Sequence, residues 1–166
     1  MSMSKKLTRT EGEYHANSMW PLKKTIIHMK ANEVLITQTD KQRLLNVLIS
    51  KSTSELDLTE NLKLVKKKMD TAVVVNSKEV PPQVVTMNST VIVKNLSFGS
   101  TARLTLVYPD ERSALDYKVS VFSPLGAAIL GYSQGDVIEW DGKQATTKFL
   151  IEKIIYQPES AGDYHL

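Results

Sequence analysis

Ser123-Pro124-Leu125-Gly126-Ala127-Ala128-Ile129-Leu130-Gly131, followed by Gly135-Asp136, decides how this chain is read. Serine before proline marks a helix start: the hydroxyl serves as N-cap, and proline fits the first helical position, where its missing N–H costs nothing. Gly126, Ala127 and Ala128 are small enough to let the helix lie close against a sheet. Gly131 ends it, and Gly135-Asp136 turns the chain into a strand, Val137-Ile138-Glu139-Trp140.

The alternation around this helix predicts a small antiparallel sheet. Val91-Ile92-Val93 with Leu96 reads as one strand, and residues 95–100 as a turn containing Gly99. Leu104, Leu106 and Tyr108 alternate with Arg103, Thr105 and Val107 in a second strand. Tyr117–Val121 is a third strand feeding the helix. Val137–Trp140 and Lys143–Tyr156 pair across Asp141-Gly142, a dipeptide suited to a tight hairpin turn.

Before Pro81-Pro82 the period is helical. Thr39 opens a capping box with Gln42, ahead of Leu44, Leu45, Val47 and Leu48, which predicts a helix over about 40–50. A second helix is expected from near Leu58, with Leu62, Val65, Met69 and Ala72 on one stripe, fraying around Val75. Its outer face is expected to carry Lys63, Lys66, Lys67 and Lys68 to solvent. Residues 1–33 lack sustained periodicity and are expected to form an extension, partly disordered. The predicted organisation is therefore an extension over 1–33, a short helical hairpin over 34–78, and a sheet domain over 79–166.

Composition bounds the function. The 166 residues contain no cysteine, which excludes disulfides, thiol chemistry and cysteine-based zinc sites. No apolar run reaches the roughly 18 residues that span a membrane, and the N-terminus lacks a secretory signal's apolar core, so a cytoplasmic protein is expected. Charge is uneven: residues 1–78 hold 14 Lys/Arg against 8 Asp/Glu, and residues 79–166 hold 7 against 10. Two regions facing different partners follow from that asymmetry. His15, His28 and His165 fall at no metal-ligand spacing, so neither metal nor cofactor is expected.

The Ser123-Pro124 start, the preceding Val84-Val85-Thr86-Met87-Asn88-Ser89 and the ending Tyr156-Gln157-Pro158-Glu159-Ser160-Ala161-Gly162-Asp163-Tyr164 together resemble the C-terminal domain of bacterial Gre-type transcript cleavage factors. The resemblance is nearer to the branch of regulators of nucleoside diphosphate kinase (Rnk), and it spans about residues 34–166. It implies an FKBP-like antiparallel sheet with one short helix, preceded by a short antiparallel helical hairpin, in the α+β class. It also implies a non-enzymatic regulator that docks on RNA polymerase near the secondary channel, in competition with Gre-type factors.

The resemblance assigns docking to the loop Phe122, Ser123, Pro124 and Leu125. Phe122 stands where the family usually has an acidic or amide residue. It also draws attention to acids between the two helices, Glu55, Asp57 and Glu60, since cleavage factors use tip carboxylates to hold a second Mg²⁺ at the polymerase active centre. Asp57-Leu58-Thr59-Glu60 is equally a common helix start. Reach argues for the start: a helix of about 18 residues extends only about 27 Å, and cleavage factors carry longer arms. A cleavage factor remains the alternative, and an FKBP-like prolyl isomerase a more remote one, since that activity needs a deep aromatic-lined pocket. Nucleic acid is expected nearby only within the polymerase complex.

Overall fold

The computed structural model describes residues 33–51, 59–141 and 146–166. Two short strands frame the helical part. Strand β1 (Leu35–Thr37) leads into helix α1 (Gln38–Lys51), and helix α2 (Glu60–Thr71) leads into strand β2 (Val73–Val75). β1 and β2 pair in parallel, with Leu35 opposite Val73 and Thr37 opposite Val75. The expected fraying of the second helix around Val75 is thus corrected: α2 stops at Thr71 and the β-branched run Val73-Val74-Val75 becomes a strand.

The start of α1 also differs from expectation. Thr37 rather than Thr39 supplies the cap, its Oγ1 accepting from the Asp40 amide at 2.9 Å. The reason lies in burial. β1 is buried along its length, so Thr37 is held where its hydroxyl faces the first helical turn. At α2, Thr59 occupies the cap position with no side-chain bond to the helix, while Lys63 and Glu60 pair at 3.0 Å on the first turn.

A five-stranded sheet follows. Its strands are β3 (Thr90–Asn95), β4 (Thr101–Val107), β5 (Lys118–Ser120), β6 (Val137–Asp141) and β7 (Thr146–Tyr156), in the order β5-β4-β3-β7-β6. The β3–β4, β3–β7 and β6–β7 pairs are antiparallel, but β5 lies parallel to β4. The wholly antiparallel expectation is corrected at that edge. After β4 the chain makes a 3-10 turn (Pro109–Glu111) and a loop, and so returns in the same direction. The β3–β4 turn forms as expected: Asn95 Oδ1 accepts from the amides of Ser97 and Phe98, and Gly99 takes a φ of +70°.

One buried cluster spans both parts. Leu44 and Leu48 of α1 and Val65 and Met69 of α2 join Val91, Leu104, Leu106, Ile138 and Ile151 of the sheet. Helix α3 (Pro124–Ile129) contributes Ala127 and Ile129 to the same cluster. Removing this much apolar surface from water is the main force holding the helices to the sheet. A smaller cluster of Leu35, Val75, Val80 and Val84 seals the two-stranded sheet. Helix α4 (Pro158–Ala161) closes the chain, with Gly162 as a left-handed cap.

Candidate functional site

The Ser-Pro loop has the geometry that its residues predict. Ser123 Oγ accepts from the Gly126 amide at 3.1 Å and donates to the Ser120 carbonyl at 2.7 Å. Pro124 takes the first helical position. The Phe122 amide donates to Ser120 Oγ at 3.1 Å, so Ser120 fixes the loop from both sides. Phe122 and Leu125 are half-buried and pack on the core, while Ser123 and Pro124 stay partly open between them. The small residue at 126 is a steric requirement: a Cβ there would lie 2.1 Å from the Ser120 carbonyl oxygen.

The far end of α3 carries a feature that the sequence did not reveal. Lys68, expected on a solvated face, is only 6% exposed. Its ammonium donates to the carbonyls of Ala128 at 2.6 Å and Leu130 at 2.9 Å, and lies 4.5 Å from the centre of the Tyr132 ring. Those carbonyls belong to the last turn of α3, where a cation is favoured. Burial lowers the Lys68 pKa from 10.5 to about 7. Lys68 thereby bolts α2 to the helix that the Ser-Pro loop begins. The physical reason it escaped notice is that four lysines within six positions look alike, and only packing separates the inward one.

A second buried polar group ties α1 and the C-terminal segment to the sheet. Asp40 accepts from the Tyr108 hydroxyl at 3.0 Å and from the Met87 amide at 3.3 Å. Glu159 accepts from the Thr86 hydroxyl at 2.7 Å, and Thr86 and Ser89 share a further hydroxyl bond at 3.0 Å. Burial pushes both carboxyls up, and the charge of Asp40 adds to the rise at Glu159. Gln157, also buried, donates to the carbonyls of Pro81 at 2.9 Å and Val84 at 2.7 Å, and Ser160 bonds its amide oxygen. The family-like ending is thus a latch on the Pro81–Ser89 segment.

Of the acids expected at the hairpin tip, Glu55 and Asp57 lie outside the described residues. Glu60 is at the exposed start of α2, paired with Lys63. His15 and His28 also fall outside the described residues. His165 is exposed, and its carbonyl accepts from Arg43 Nη2 at 3.2 Å. Among the described residues no group of three or more His, Asp or Glu side chains is placed to hold a metal. No helix among them is long and apolar enough to cross a membrane.

Comparison with known proteins fits this geometry. The family model for the transcription elongation factor GreA/GreB C-terminal domain matches residues 80–156, which run from the start of the latch segment to the end of β7. The regulator of nucleoside diphosphate kinase of Escherichia coli K12 is 37% identical over 140 residues, covering 83% of this chain and all of that protein.

The chain belongs to the Rnk family.

The match includes the helical part as well as the sheet, so the relationship to Rnk is not confined to one domain. GreA of Clostridium botulinum is 34% identical over 84 residues, about half of each protein: 51% of this chain and 52% of that one. A solved GreA/GreB elongation factor from Nitrosomonas europaea superposes with a TM-score of 0.62 at 33% identity, over 75% of this chain and all of the other. The α+β architecture, with a helical N-terminal part and a mainly antiparallel sheet, is therefore that of the Rnk and GreA/GreB group.

Proposed function

We propose that this Rnk-family protein is a non-enzymatic transcription regulator that binds RNA polymerase near its secondary channel and competes there with Gre-type factors. The observation that carries the reading is the intact Ser123-Pro124 helix start, rigidly mounted in a chain that matches Rnk along most of its length. Ser123 Oγ already caps the Gly126 amide, so what this helix start offers a partner is the apolar surface of Phe122, Pro124 and Leu125. The FKBP-like character of the sheet and helix belongs to the same proposal. So does the functional division into a helical part over 34–78 that occupies the channel entrance and a docking domain over 79–166.

Helix length supports the absence of cleavage activity. α1 has 14 residues and α2 has 12, which is about 21 Å and 18 Å of helix. Both helices also spend apolar residues on the shared core rather than on a free-standing arm. The test is displacement: labelled GreA on core polymerase, titrated with this protein and with its Leu125→Asp variant. Displacement by the wild type and weaker displacement by the variant is expected. No displacement at concentrations on the order of tens of micromolar overturns the proposal. Hydrolysis of RNA in backtracked complexes, lost in the Asp57→Ala, Glu60→Ala double variant, would establish the cleavage alternative instead.

A further inference from the structure

We propose that the cleft between the start of α1 and the C-terminal segment binds a nucleotide, that is, a small phosphorylated molecule carrying a planar ring. The cleft has a volume of about 560 Å³, within the usual range for small-molecule sites. Three separate pieces of chain line it: Gln38, Gln42 and Arg43 from α1, Asn76 and Lys78 from the turn after β2, and Tyr164 near the C-terminal end.

Its chemistry selects an anion. Two cations face the space and no carboxylate lines it. Arg43 donates to the His165 carbonyl at 3.2 Å and also meets the Tyr108 side chain, and the remaining donors of its five-donor fork are open to a ligand. The nearest acid on its helix, Asp40, is buried and bonded by Tyr108 and Met87; the Arg43 charge acts on it, so it offsets part of the positive charge and Lys78 supplies the rest. Lys78 Nζ lies 5.8 Å from the centre of the Tyr164 ring, and a ring leaves its hydrogen-bond donors unused. A lone inorganic phosphate would satisfy the cations but would leave the rest of the cleft idle. Tyr164, 45% exposed, offers a face for stacking. The amides of Gln38, Gln42 and Asn76 can read a heterocycle's edge, and Asn76 keeps its NH₂ donors because only its oxygen is taken, by the Lys78 amide. Because the three walls are distant in sequence, an occupant would tie the root of α1 to the C-terminal segment and favour that arrangement by mass action.

The test is titration calorimetry on the full chain with ADP, GDP, pyrophosphate and adenosine. Saturable binding of at least one nucleotide is expected, with pyrophosphate and adenosine each weaker. Lys78→Gln and Arg43→Gln should each weaken it about 10-fold or more, while Lys153→Gln on the far sheet should leave it unchanged. Lys78 is exposed, so its variant keeps the test sound should Arg43→Gln unfold. No saturation by either nucleotide into the millimolar range, pyrophosphate binding as tightly as ADP and GDP, or an equal loss in Lys153→Gln would each overturn the proposal.

Discussion

Replacing Lys68 with methionine tests the bolt between α2 and α3. The unfolded chain holds the lysine proton up to about pH 10.5, whereas the folded protein releases it from about 7. Between those values the unfolded state binds more protons, so stability must rise with pH. Integrating from pH 7 to pH 9 gives a gain of about 2 kcal/mol attributable to this one group. The two carbonyls and the Tyr132 ring favour the ammonium, which makes that figure an upper bound. Methionine matches the unbranched stem and fills the same slot, but it leaves the oxygens of Ala128 and Leu130 without their donor. Stability at a single pH mixes that loss with the relief of a buried charge; the pH slope separates them. Urea denaturation of both proteins at pH 7 and pH 9 is the assay. The wild type should gain stability over the interval and Lys68→Met should gain less, by up to the amount given. Equal gains in the two proteins would refute the lowered Lys68 pKa; Lys68→Met as stable as the wild type at pH 7 would refute the bolt.

Three other outcomes follow from the same packing. Gly126→Ala places a methyl against the Ser120 carbonyl and should cost about 3 kcal/mol or more, read as a fall in melting temperature. Gln157→Leu removes the donor from two carbonyls, Pro81 and Val84, and should cost about 2 kcal/mol or more in urea unfolding. Asp40 and Glu159 both have raised folded pKa values, so the folded state holds their protons longer and wild-type stability should decline as pH rises above their unfolded values of 3.8 and 4.5. Glu159→Gln should flatten that decline, measured by urea midpoints between pH 4 and pH 7.

Much of the sheet was legible because its signals are local. Ser123-Pro124 and Gly131 bracket α3, Asn95 and Gly99 make the β3–β4 turn, and the alternation through Leu104 and Leu106 marks a strand facing the core. β1 and β2 were not legible. Three residues are too few to show a period, and each strand exists only because the other pairs with it from across two helices. Lys68 and the Asp40–Glu159 group were hidden for a related reason. A polar side chain enters the interior when distant partners meet it there, and residues such as Ala128, Tyr108 and Thr86 carry no mark of that meeting. The Ser-Pro loop is half-way between. Its backbone could be read from Ser-Pro and its close packing from Gly126, whereas Ser120 as the residue beneath Gly126 could not.

Gly131 shows how the parts are geared together. Its carbonyl takes the Leu35 amide at 3.1 Å and its own amide reaches the Val85 carbonyl at 2.8 Å. A side chain at this position would collide with Val34 Cγ1 at 2.4 Å. The strand that launches α1 therefore rides directly on the residue that finishes α3. The end of α3 and the start of α1 are thus held as one piece, and neither can shift without moving the other.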